Sequence, residues 1–96
     1  MHTVVRSYTG DGAKEFFDLL EEREDEVREL MGSVQGLLSY QAVRTADGGF
    51  SITVCRDEAG TAESVERARR WVAENASETG VAPPAVLEGV VIIEVK

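Results

Sequence analysis

The chain opens on "HTVVRSY", where β-branched residues alternate with polar ones up to "TGDG", whose glycines mark a turn. That alternation predicts a first strand. From Ala13 the period lengthens: Phe16, Leu20, Val27, Met31 and Val34 fall on one stripe, widened by Phe17, Leu19 and Leu30. One long first helix is predicted, with Asp11 as its N-cap and Gly32 weakening its far end. "GLLSYQAVRT" and "GFSITVCR" read as strands two and three, joined by the hairpin signal "ADGG". "DEAGTAESVERARRWVAENA" is a second helix with Thr61 as candidate N-cap and the stripe Val65, Ala68, Val72 and Ala76. The prolines of "SETGVAPP" bar its continuation. "AVLEGVVIIEV" then predicts a fourth strand, with Leu87, Val91, Ile93 and Val95 on one face and Val90 and Ile92 on the other.

The order β, α, β, β, α, β is the split β-α-β arrangement. It predicts an α+β, ferredoxin-like domain, a four-stranded antiparallel sheet with two helices on one face. With Phe50, Ile52 and Val54 turned to the helices, the other face carries Ser51, Thr53 and Cys55, continued by Val90 and Ile92. A face so free of charge is expected to be covered, and no further element of the chain remains to cover it. A second copy packed sheet to sheet is the expected cover, with Glu88 and Glu94 at its rim.

The hairpin leaves its register open. A two-residue turn at Asp47 and Gly48 sets Val43 opposite Ile52 and turns Tyr40 away from Phe50. A three-residue loop sets Ala42 opposite Ile52 and puts Tyr40 on the Phe50 face. Arg23 is open too. It lies inside the apolar arc of the first helix, either snorkelling to water or lining a cavity beneath the helix, whereas the acidic run "EEREDE" around it reads as a solvated face. Trp71 sits at the edge of the second helix's arc with Ser64 and Asn75 beside it, about 20° and 40° away on the wheel. It is either core edge with its N–H toward a polar partner or the wall of a site.

Composition narrows the function. Ninety-six residues make one domain, residues 1–96, read as a complete small protein whose marginal core gains from oligomerisation. A net charge of −8 disfavours nucleic acid. No apolar run approaches a membrane span, and "MHTVVRSYTG" lacks the apolar region of a signal peptide, so a cytoplasmic protein is expected. Eight of the ten basic residues are arginine, which fits a GC-rich bacterial genome. Cys55 alone makes neither an internal disulfide nor a thiolate metal site, and His2 reads as a frayed terminal residue rather than a ligand. No phosphate loop, paired carboxylate or serine elbow occurs.

Element order, length, the hairpin "YQAVRTADGGFSITVCRDEAG" and the helix "ESVERARRWVAEN" together resemble the dimeric α/β-barrel superfamily, nearest its antibiotic-biosynthesis-monooxygenase branch. The resemblance covers essentially the whole chain. It implies a homodimeric barrel with a small-molecule cavity between sheet and helices. Some members of the branch oxidise aromatic substrates without metal or flavin, the substrate carbanion reacting with dioxygen. On that implication the ligand is a small aromatic or apolar metabolite and no cofactor or metal is expected. Arg23, Tyr40, Trp71 and Asn75 are the cavity candidates, and Arg6 and Tyr8 are of the same residue types. The alternative is a non-catalytic dimeric binding or regulatory module, favoured by the shortage of acid-base groups. Haem-degrading relatives use a first-strand asparagine and a histidine after the tryptophan, and this chain has neither.

Overall fold

The computed structural model describes residues 1–96. Strands β1 (His2–Thr9), β2 (Leu37–Thr45), β3 (Gly48–Cys55) and β4 (Ala85–Val90) form one antiparallel sheet in the order β2-β3-β1-β4. Helices α1 (Ala13–Glu22), α2 (Glu24–Gly32) and α3 (Glu58–Asn75) cover one face, and a short 3-10 turn at Ser77–Thr79 follows α3. This is the ferredoxin-like α+β fold.

Three helical segments stand where two were expected, because the first helix breaks at Arg23 (φ −109°, ψ 34°). The ladder closes on both sides of the break, Arg23 N–H donating to Leu19 and Val27 N–H to Arg23. The arginine itself reaches across to α3. Asp11 does not cap α1. Gly12 does, in the left-handed region at φ 82°, and a side chain there would run into the backbone of Thr79 and Val81. Helix α3 starts earlier than Thr61, capped by Asp57, whose carboxylate accepts from Gly60 N–H at 3.1 Å.

The hairpin takes neither expected register. Thr45 pairs with Gly48, so Ala46 and Asp47 make the turn, Val43 faces Phe50 and Tyr40 faces Thr53. Glycine explains the slip. A side chain at Gly49 would strike the Phe17 ring, and one at Gly48 (φ 150°) would meet Ala13 at 2.7 Å, so both glycines belong inside the strand under α1. A bulge between Leu37 and Ser39 shifts the register before the last pair, Leu37 with Cys55.

The faces of β3 are opposite to expectation. Ser51, Thr53 and Cys55 are buried toward the helices, while Phe50, Ile52 and Val54 lie half-buried on the open face. Register carries the same alternation into β1, where His2, Val4, Arg6 and Tyr8 point under the helices and Thr3, Val5 and Ser7 point away. The aromatic core of Tyr8, Phe16 and Phe17, with ring centroids 4.8–6.0 Å apart, sits over the small side chains of β3. Helix α3 comes close in the same way, burying Gly60, Thr61, Ser64, Ala68 and Trp71. Trp71 therefore lies within the buried face of α3, and Val65 and Val72 lie to its side.

The last strand is shorter than expected. β4 ends at Val90 because His2, its partner, begins β1; beyond it Val91 N–H donates to Met1, just before β1. Leu87, Ile92, Ile93 and Val95 are exposed. Glu88 pairs with Val4, which puts it on the helix side and away from the rim of the open face.

Candidate functional site

His2, Arg6, Ser51 and Thr53 are buried polar residues on the helix side of the sheet. His2 is not frayed. Its Nδ1 lies 2.7 Å from the Thr61 hydroxyl and its Nε2 3.7 Å from Glu88, which ties the start of β1 to α3 and β4. Cys55, opposite His2, is fully buried under α3 instead of on the open face, and burial, with Asp57 and Glu63 adding to it, pushes its thiol up from the ordinary value. It is a packing residue and no ready nucleophile.

Arg6 is different, because it has no counter-ion. Only 4% exposed, it forms no ion pair, and its Nε has no hydrogen-bond partner. The hydroxyls of Ser51, its register partner, and of Thr53 are also buried without a partner. Tyr8 and Tyr40 stand beside the guanidinium; burial raises both phenols above their usual range, and the Arg6 charge pulls them partly back. Both hydroxyls therefore stay protonated and can donate.

Two spaces meet at Arg6 and Tyr8. The inner one, bounded also by Leu20, Tyr40, Ser51 and Trp71, amounts to about 20 Å³, room for roughly one water. The outer one is a groove of about 320 Å³ between α3 and the segment running into β4, lined by Val65, Val72, Val81, Pro83, Pro84 and Val86, with Arg69 also on its lining. The groove is of a size that suits a small ligand.

The four cavity candidates separate into two groups. Tyr40 and Trp71 both line the inner space. Arg23 and Asn75 line neither space and instead hold α2 to α3: both terminal nitrogens of Arg23 donate to Asn75 Oδ1 at 3.2 Å, and Asn75 donates to the Trp71 carbonyl. The Arg23 guanidinium lies 5.6 Å from the Trp71 ring centre, and the indole N–H donates to Glu26 at 2.6 Å. Trp71 is thus a core-edge residue whose ring forms one wall of the inner space. Arg6, given no special weight on sequence, is the residue the structure brings forward. Its signal was its place between Val4 and Tyr8 on the buried alternation of β1.

No protein-family model matches the chain, and no characterised protein sequence does. Solved structures match over nearly its whole length. NE2512, a protein of unknown function from Nitrosomonas europaea, superposes with a TM-score of 0.70 at 16% identity, covering 99% of this chain and 91% of that one. A point mutant of MhuD with two manganese protoporphyrin IX bound per active site gives 0.67 at 18%, covering 99% and 97%. The monooxygenase ActVA-Orf6 of Streptomyces coelicolor, in complex with nanaomycin D, gives 0.64 at 17%, covering 99% and 89%. A porphyrin does not fit the residues here, since the inner space is too small and the one histidine lines neither space. What this chain shares with these proteins is the ferredoxin-like α+β fold, and monooxygenases are among its structural neighbours.

Proposed function

We propose that the chain is a homodimeric α/β-barrel protein that binds a small aromatic or apolar metabolite in the groove beside α3 and oxidises it with dioxygen. The observation that carries this reading is the apolar groove ending on the buried Arg6 guanidinium and the protonated Tyr8 phenol, with the Tyr40 phenol in the inner space beyond them. A methylene flanked by carbonyl or aromatic groups loses a proton to water entering the groove. The electron pair left on carbon forms a C–O bond to dioxygen, protonation gives a hydroperoxide, and loss of water leaves a carbonyl. The balance is CH₂ plus O₂ to C=O plus H₂O, with the substrate as reductant.

Tyr8 and Tyr40 donate to the oxygen on which the carbanion's charge is delocalised, and Trp71 closes the inner end of the site. Arg23 and Asn75 act as positioning residues through Trp71. The open sheet face supports the dimer. Across it run the rows Gln41–Ile52–Val5–Leu87 and Val43–Phe50–Ser7–Ala85, without a charge on any of the four strands. Two such faces packed together form a core of the kind a ten-kilodalton domain otherwise lacks. A cytoplasmic setting, with Cys55 kept reduced, belongs to the same reading.

The test uses dithranol, a phenolic tricyclic ketone with an activated methylene. Oxygen uptake and carbonyl product should appear in proportion to protein and fall at least about tenfold in Tyr8→Phe. Saturable binding with no oxygen uptake would identify the protein as the non-catalytic binding module.

A further inference from the structure

Of the chain's eighteen acidic residues, none lines the groove or the inner space, although the protein as a whole carries a net charge of −8. The charged residues that do line them are Arg6 and Arg69. Arg69 is exposed and already paired with Glu66 at 2.7 Å. Arg6, a guanidinium, is buried and has no carboxylate to neutralise it. A buried cation without a partner is costly, and folded chains keep one where something else supplies the countercharge.

We infer that the site selects an anion: an aromatic or apolar acid whose carboxylate or phenolate oxygens bind Arg6 while its ring system fills the groove. The inference rests on the proposed small-molecule site and adds the charge of its ligand. Three features support it besides the unpaired charge. Arg6 borders both spaces, so a ligand entering by the groove reaches it without rearrangement of the core. The Ser51 hydroxyl, buried without a partner opposite Arg6 and lining the inner space, supplies a further donor at the same point. Tyr8 and Tyr40, held protonated, complete a set of donors with no acceptor among them except hydroxyl oxygens. The room for about one water at this point lets a solvent molecule meet the donors in the free protein, yet a neutral water leaves the charge uncompensated.

The phenol groups also say what the anion is for. A phenolate or enolate bound at Arg6 is the conjugate base that the proposed oxidation starts from, so the cation favours the reactive ionised form of the substrate. A bound carboxylate would instead be a handle that orients the molecule. Both use the same chemistry at Arg6.

Calorimetric titration of the full-length protein with naphthoate and its neutral isostere naphthamide tests the inference. Naphthoate is expected to bind about ten- to a hundredfold more tightly than naphthamide, and Arg6→Met to remove that preference. Arg69→Gln should change the preference by less than about threefold, because its charge is exposed and screened. Thermal unfolding gives a second reading: Arg6→Met is expected to melt at a higher temperature than the parent, since it removes an unpaired buried charge. Equal binding of the two naphthalenes, or a lower melting temperature in Arg6→Met, would overturn the anion inference and leave the small-molecule reading standing. Failure of both compounds to bind would overturn the two together.

Discussion

The two faces of the sheet are built against the usual rule. The face beneath the helices carries an arginine, a histidine, a serine and a threonine among its buried residues, while the face that no helix covers carries Val5, Val43, Phe50, Ile52, Val54 and Leu87. In an isolated domain this costs free energy twice, once for buried groups without partners and once for apolar groups left in water. The arrangement makes sense when each face has its own occupant. In the reading proposed above, a second copy takes the apolar face and a ligand takes the polar one.

The largest effect is expected from placing a charge on the open face. Ile52→Asp should abolish the dimer, weakening association by about 3 kcal/mol or more, a hundredfold or greater on sizing at micromolar protein. A variant that still runs as a dimer would show that the sheets do not meet. Next comes Trp71→Ala, which removes a buried indole from between α2 and α3 and should destabilise the fold by about 3 to 5 kcal/mol in chemical denaturation. Trp71→Phe, which keeps an aromatic ring but loses the N–H donated to Glu26, should cost less, about 1 to 2 kcal/mol.

Smaller effects probe the polar face. Thr53→Val preserves shape and removes a hydroxyl that has no partner, so stability should rise by about 1 kcal/mol. The same exchange on a bonded hydroxyl, Thr61→Val, should destabilise by a similar amount, since Thr61 holds the His2 ring. The smallest effect at neutral pH is that of Tyr8 and Tyr40, the chain's two tyrosines. Both are raised in the folded state, so the stability they contribute is complete below the unfolded value near 10 and is lost as pH rises through the folded values. Absorbance of tyrosinate should accordingly appear at higher pH in the native protein than in urea. Coincident titrations would contradict their burial.

Strand and helix order is legible in the sequence because period and punctuation are local properties. "TGDG", "ADGG" and the "VAPP" prolines divide the chain where the structure divides it. The facing of β3 is not legible, because alternation alone gives two faces and only the rule that apolar residues point inward chooses between them. Here that rule selects the wrong one: Ser51, Thr53 and Cys55 point inward because α1 and α3 approach the sheet closely and leave room for small side chains only. The double glycine at 48 and 49 is the mark of that approach, yet on sequence it reads as a turn. Of the site, Tyr40 and Trp71 stand out because aromatic residues at a helix edge and in a strand are conspicuous. Arg6 does not, because a charged residue in a strand is ordinarily solvated, and its isolation from every carboxylate is a property of three-dimensional packing.

Sedimentation equilibrium of the purified protein tests most directly whether the two faces have separate occupants. The expected mass is twice the 10.5 kDa of the chain, with Ile52→Asp falling to the single-chain mass while still binding naphthoate. A wild-type protein that sediments as a single chain at tens of micromolar would leave the apolar face without an occupant and overturn the arrangement.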